Sequence, residues 1–272
     1  MRNLNIIYIQ IAGLNIKISF TPFSKKTDDY FSYNKLRLTI IQYFGGFVLV
    51  KKPSIIDYHI ELVKRNLVMS RQVKDNKITY TLDFYVEETN KILSFQYISL
   101  SQFMLLLKQI ISKFTLNHHL FLLHASASCY KGKALIFTGR PNAGKSTIMS
   151  LISDTYPSLA DDSVIIKKES NGYFMYQTPF IEKNDWVKKT NKAFQIDKIF
   201  FLKKSTTYNK TIKVTDKNRI LRILISQLIV TRDNYKIIMK RLTEFVRSFN
   251  NFYYLYFVKD KNKILKILNS LR

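Results

Sequence analysis

One nine-residue segment limits the possible folds of this 272-residue chain more than any other: Gly139-Arg-Pro-Asn-Ala-Gly144-Lys145-Ser146-Thr147. The apolar run Ala134 to Thr138 precedes it, and Ile148, Leu151 and Ile152 follow at helical spacing. The order is therefore strand, glycine loop, helix, the context in which a G-x-x-x-x-G-K-[ST] segment works as a phosphate-binding loop. Gly139 and Gly144 let the backbone turn so that several N–H groups face one point. The helix N-terminus adds partial positive charge there. Lys145 supplies a full charge for β- and γ-phosphates, and the Ser146 hydroxyl is placed to hold Mg²⁺. The predicted nucleotide-binding set is Gly139, Pro141, Asn142, Ala143, Gly144, Lys145, Ser146 and Thr147, for a nucleoside triphosphate with Mg²⁺.

A second constellation follows. Ser158-Leu-Ala-Asp161-Asp162-Ser163 lies one helix and one turn further on, Asp161 falling 16 residues after Lys145. That length brings the chain back beside the loop. Next to a bound triphosphate, one carboxylate can accept a proton from an attacking hydroxyl and the other can hold Mg²⁺. Alone, an Asp-Asp pair is usually a solvated turn or a helix cap; its distance from the phosphate loop favours a site. His124, in the strand Leu120–Cys129, leaves two readings open: a satisfied core histidine, or a group that orients an aspartate or a phosphate. His118-His119 lacks a third ligand at useful spacing, so no metal site is expected there.

The remainder of the chain divides into a β-rich N-terminal unit over residues 1–116, a candidate substrate-binding unit, and a phosphate-loop catalytic unit over 117–272. Ile6–Gln10 and Leu14–Ser19 read as a hairpin around Ala12-Gly13, Leu62–Val73 as a strand region, and Lys77–Tyr85 and Lys91–Ile98 as strands flanking a turn at 87–90. Ser101 reads as the cap of a helix reaching about Phe114 with Phe103, Leu106, Leu107, Ile110 and Ile111 inward. Beyond the loop, Val164–Lys168 and Tyr173–Gln177 flank Asn171-Gly172, a strong hairpin signal. Lys198–Leu202 and the aromatic run Phe252–Val258 read as strands, and Arg219–Val230 and Tyr235–Phe249 as helices. Asp260 caps a last helix with Ile264, Ile267, Leu268 and Leu271 inward. Hairpins around the phosphate-loop strand predict a mixed α/β sheet.

Composition excludes several classes. Apolar residues make up 46% of the chain, which excludes a disordered chain. The single cysteine, Cys129, excludes an internal disulfide and fits a reducing cytoplasm. No uncharged apolar run reaches the roughly 18 residues of a membrane span, and no secretory signal is evident. The net charge of +25 is spread along the chain, with 22 Lys/Arg against 7 Asp/Glu between Ile181 and Arg272. It suits anionic acceptors, yet abundant Lys, Asn, Ile, Tyr and Phe together also match biased base composition. No nucleic-acid-binding motif accompanies the charge, so no specific nucleic-acid partner is expected.

Taken in order, Leu-His124-Ala-Ser-Ala, the phosphate loop, Ala160-Asp161-Asp162 and Gln177-Thr-Pro179-Phe180 resemble the HPr kinase-like proteins, including smaller relatives found beside ribosomal peptide gene clusters. Ile11-Ala-Gly-Leu14, Ile199-Phe-Phe-Leu202 and Tyr253-Tyr-Leu-Tyr256 are also similar to that subgroup. The resemblance implies a P-loop kinase core of the HPr kinase/phosphoenolpyruvate carboxykinase type. It implies γ-phosphoryl transfer from ATP to a hydroxyl of a peptide, protein or small molecule. By it, Asp161 is the base, Asp162 lies near Mg²⁺, His124 sits beside the aspartates and Lys145 serves catalysis. Full-length members of that family form rings, so a homo-oligomer is an option. The glycine-rich segment that such enzymes carry after the aspartate pair is missing here, which argues against HPr as substrate and against a reverse phosphorylase reaction.

Two other readings stand beside the kinase. One is a nucleotide-binding interaction protein without transfer. The other is a GTPase, which the loop also suits; the chain lacks an Asp-x-x-Gly switch and an Asn-Lys-x-Asp guanine reader, so this reading is the weakest.

Overall fold

The computed structural model describes residues 5–21, 29–63, 68–74, 77–180, 182, 187–230 and 234–270. The chain divides into two compact units, Met1–Ile111 and Ser112–Arg272.

The first unit contains β1 (Ile6–Ile11), β2 (Leu14–Phe20), α1 (Asp29–Tyr43), β3 (Tyr58–Val63), β4 (Val68–Lys74), β5 (Lys77–Asp83), β6 (Tyr85–Glu88), β7 (Lys91–Phe95) and the start of α2 (Leu100–Asn117). The opening hairpin forms as expected, because Ala12 and Gly13 both take positive φ, +51° and +89°. Two left-handed residues make the tight turn whose twist matches its strands. The five-stranded sheet runs β1-β2-β3-β7-β6. It is mixed: β2–β3 and β3–β7 are parallel, and β1–β2 and β6–β7 antiparallel. Alternation buries Ile7, Ile9 and Ile11 on one face of β1.

Several expectations shift here. The strand region at 62–73 is two strands, β3 and β4, with residues 64–67 outside the described set. The strand expected at 77–85 breaks at Phe84: β5 pairs with β4 in a separate hairpin, and β6 makes the turn onto β7. Helix α2 is capped by Ser99, two residues before the expected cap. Ser99 Oγ accepts from Gln102 N at 3.2 Å while Gln102 Oε1 accepts from Ser99 N at 2.8 Å. This is a reciprocal Ser-x-x-Gln capping box. The expected apolar face of α2 is buried at all five positions.

The second unit holds β8 (Leu120–Tyr130), β9 (Lys133–Thr138), α3 (Lys145–Ile152), β10 (Ser158–Ala160), β11 (Ser163–Glu169), β12 (Gly172–Gln177), β13 (Phe194–Lys204), β14 (Lys210–Lys213), α4 (Lys217–Ile225), β15 (Leu228–Ile229), α5 (Tyr235–Ser248), β16 (Phe252–Phe257) and α6 (Lys261–Ser270). All these strands belong to one mixed sheet. Its pairings close on themselves, from β8 to β9, β13, β12, β11 and back to β8. Only β9–β13 and β13–β16 are parallel.

Strand periodicity sorts the core into two layers. Ala134, Ile136, Ile199, Phe201, Phe252 and Tyr254 pack with Ile220 and Leu224 of α4 and Ile238, Leu242 and Phe245 of α5. The alternate residues, Leu135, Phe137, Phe200, Leu202, Leu255 and Phe257, pack with Ile148 and Ile152 of α3 and Ile264 and Leu268 of α6. The central strands therefore read as continuous apolar runs because both faces are covered. Each fully buried Ile, Leu or Phe contributes about 1.5–3 kcal/mol.

The helix expected over 219–230 ends at Ile225. Leu228 and Ile229 instead pair with Leu123 and Leu122 of β8. Asp260 does cap α6, accepting from Lys263 N at 3.1 Å. Ile264 and Leu268 are buried and Ile267 half-buried; Leu271 lies outside the described residues. Among the described residues no helix is long and apolar enough to cross a membrane.

Candidate active site

The glycine loop leaves β9 at its C-terminal end and enters α3. Gly139, Asn142 and Gly144 take φ of +156°, +63° and +105°. Both glycines are also needed for space. A Cβ on Gly144 would lie 2.6 Å from Cζ of the buried Phe257 ring, and one on Gly139 would lie 3.0 Å from the Ala143 Cβ. Lys145 arches back across the loop, Nζ donating to the Gly139 carbonyl at 3.1 Å. Pro141, Asn142 and residues 144–147 line a pocket of about 340 Å³ together with His124 and Lys204. The structure thus brings six of the eight predicted loop residues together with His124 and adds Lys204, at the end of β13, while Gly139 and Ala143 line an adjoining cavity. The loop's cradle and cationic side chain fit a polyphosphate. Among the described residues no group of three or more His, Cys, Asp or Glu is gathered to hold a metal.

The aspartate pair occupies the bend between β10 and β11. Strand β8 fixes its backbone: Ala125 N donates to the Asp162 carbonyl at 3.1 Å and Ser126 Oγ to the Asp161 carbonyl at 3.1 Å. The β8–β11 register pairs His124 with Ser163, next to Asp162. His124 Nδ1 lies 3.6 Å from Asp162 Oδ1, an ion pair when the imidazole is protonated. Thr138, at the foot of the phosphate loop, donates its hydroxyl to the His124 carbonyl at 3.0 Å. The histidine, the loop and the acidic pair therefore hang from one short stretch of paired backbone.

The two aspartates occupy unlike surroundings. The Asp162 side chain is 37% exposed, whereas Asp161 is 2% exposed. Asp161 N donates to Glu182 Oε2 at 2.9 Å, and the Asp161 and Glu182 carboxyl groups are hydrogen-bonded. Lys189 Nζ pairs closely with Glu182 Oε1 and donates to the Thr178 carbonyl at 2.9 Å. Gln177 stitches this corner together, donating to the carbonyls of Leu159 at 2.5 Å and Lys188 at 3.1 Å. Burial first, then the hydrogen bond with Asp161, pushes Glu182 up to about 7 from 4.5, against the pull of Lys189. Burial lowers Lys189 from its usual range, with Glu182 opposing. Sequence reasoning gave no role to Glu182, Lys189 or Lys204. The first two lie in an aperiodic stretch, and Lys204 looks like any surface lysine at a strand end.

The raised Glu182 has a measurable consequence. Between about pH 4.5 and pH 7 the folded state holds this proton and the unfolded state has lost it, so stability falls as pH rises through that window. In Glu182→Gln the fall should flatten, measured as urea midpoints at pH 5 and pH 7.5. An unchanged slope would show that Glu182 titrates alike in both states.

Fold and site together define a mixed α/β protein built around a strand, glycine loop and helix, with an acidic pair and a histidine beside the loop. A family model described as SynChlorMet cassette protein ScmC matches residues 91–251. The chain belongs to the ScmC family. Among solved structures it is similar to the Hpr(Ser) kinase/phosphatase from Coxiella burnetii. Identity there is 12%, 54% of this chain and 93% of that chain are covered, and the TM-score is 0.23. No curated protein matches the chain.

Proposed function

We propose that this protein is an ATP- and Mg²⁺-dependent kinase, with a P-loop core of the HPr kinase/phosphoenolpyruvate carboxykinase type, acting on a hydroxyl of a peptide, protein or small molecule. The observation that carries the reading is the shared pocket: the loop residues 144–147 and His124 line one cavity, and His124 stands 3.6 Å from a half-exposed carboxylate. ATP would supply the phosphoryl group. Lys145, the loop amides and Lys204 would hold its phosphates, with Ser146 as a Mg²⁺ ligand. Catalysis of this kind is largely positioning and charge stabilisation.

Exposure favours Asp162 over Asp161 for the role of base. A base has to reach the acceptor's hydroxyl, and Asp162 is accessible beside His124. Asp161 is buried and tied to Glu182, which suits it to holding the bend rather than to touching substrate. Asp162→Asn should therefore lower transfer about 100-fold or more while Mg-ATP binding stays near wild type. Asp161→Asn should act mainly on thermal stability. The measurement is label transfer from γ-labelled ATP to a panel of serine peptides and small alcohols, with nucleotide affinity measured in parallel. Equal transfer by Asp162→Asn and wild type would remove Asp162 from the base role. Binding of Mg-ATP without transfer to any acceptor would favour the interaction-protein reading, to which the burial of Asp161 already lends some weight.

A further inference from the structure

A second, larger cavity of about 790 Å³ adjoins the phosphate loop on its Gly139–Ala143 side, between the end of β13 and α4. Its lining is strongly cationic: Arg140 comes from the loop, Lys203 and Lys204 from β13, and Arg219 and Arg222 from α4. Among the lining residues the single carboxylate is Asp216, and it is engaged at the N-cap of α4, accepting from Arg219 N at 3.0 Å. Tyr254 forms part of the wall. The Arg219 guanidinium lies 5.1 Å from the Tyr254 ring centroid and the Lys203 ammonium 5.8 Å from it.

Helical spacing explains the two arginines: positions three apart share one face of α4, while Ile220 and Leu224 turn into the core. Five basic residues line one cavity, and an anion bound there relieves the repulsion among their charges. Two guanidinium groups add planar forks that match carboxylate or phosphate oxygens in a way lysines do not. This cavity shares Pro141, Asn142 and Lys204 with the smaller pocket that holds Lys145 and His124. A molecule anchored in the larger cavity thus reaches the phosphate loop directly.

We infer that this cavity anchors the phosphoryl acceptor, and that the acceptor carries at least two oxyanion charges, as carboxylate or phosphate, on the part away from its reacting hydroxyl. The inference rests on the kinase reading for the word acceptor; the oxyanion site itself is tested separately. Citrate serves as the carboxylate probe and inorganic phosphate as the phosphate probe, titrated calorimetrically at fixed ionic strength. Four proteins are compared: wild type, Arg219→Gln/Arg222→Gln, Lys145→Ala, and Lys210→Gln/Lys213→Gln, which removes two exposed charges from β14 instead. All of the substituted cationic side chains in the first and last pairs lie on exposed residues, so folding should be retained.

Wild type, Lys145→Ala and the β14 variant should bind the preferred probe alike, and the α4 variant at least tenfold more weakly. The probe that the α4 variant weakens and Lys145→Ala does not identifies the oxyanion, because binding at the phosphate loop would show the opposite pattern. Mg-ATP should stabilise the α4 variant as it does wild type. Equal weakening in the β14 variant would reduce the effect to overall charge and overturn the proposal. So would failure of both probes to bind, or loss of Mg-ATP binding in the α4 variant, which would make the cavity part of the nucleotide site. Failure of Mg-ATP to bind wild type would count against the kinase reading instead, and the probe titrations would still be read on their own.

Discussion

Lys145→Ala should abolish the stabilisation that Mg-ATP gives the wild-type protein. A ligand at about a hundred times its Kd adds roughly 2.7 kcal/mol, which for a unit of this size raises the Tm by about 5–10 °C. In wild type Lys145 crosses the loop to the Gly139 carbonyl and lines the phosphate pocket. Without it the loop amides and the α3 dipole remain, but the full charge beside the β- and γ-phosphates is gone. The apo Tm should move little, since the Lys145 side chain is half-exposed. The measurement is a thermal melt with Mg-ATP and with Mg-GTP. A shift of equal size in Lys145→Ala and wild type would take nucleotide binding away from this loop, and a larger shift with Mg-GTP would revive the GTPase reading.

What the sequence made legible, and what it hid, follows from how far each constraint reaches along the chain. The glycine loop was readable because its requirements are local: left-handed backbone at Gly139 and Gly144 and a cation directly after them. The buried face of α2 was readable because helical periodicity is a local property too. Helix α1 was not, because Leu36-x-Leu38-x-Ile40 alternates like a strand; in the helix Leu36 and Ile40 are buried and Leu38 is 59% exposed. The overrun of α4 has a similar cause. Apolar residues continue to Val230, but the chain turns at Ser226-Gln227 so that Leu228 and Ile229 can complete pairing along β8, a long-range demand. The approach of His124 to Asp162 likewise comes from the β8–β11 register and not from spacing. Glu182 and Lys189 were the least legible, since two ordinary charged residues become a buried pair only through the strands that Gln177 holds around them.

That buried pair carries the second large effect. Lys189→Met should destabilise the protein by about 3–5 kcal/mol, the usual consequence of leaving one partner of a buried ion pair uncompensated. The Lys189 and Glu182 side chains are 14% and 6% exposed, so solvent screens little of the loss. The size should depend on pH in a definite direction. As pH rises, ionisation of Glu182 without Lys189 sets its charge beside the Asp161 carboxyl with the paired ammonium gone. At pH 5 it is protonated, shares a hydrogen bond with Asp161 and needs no cation. Removing Lys189 also raises Glu182 further, because the lysine is one of the influences holding it down. Urea unfolding of Lys189→Met should therefore show a deficit at pH 8 that shrinks substantially at pH 5. Adding Glu182→Gln should restore much of the stability at pH 8, since the second change removes the stranded charge and keeps a group able to hydrogen-bond with Asp161. A deficit equal at both pH values, unrelieved by Glu182→Gln, would mean that Lys189 acts by packing alone and that the charge pairing around Asp161 does not hold this corner of the site.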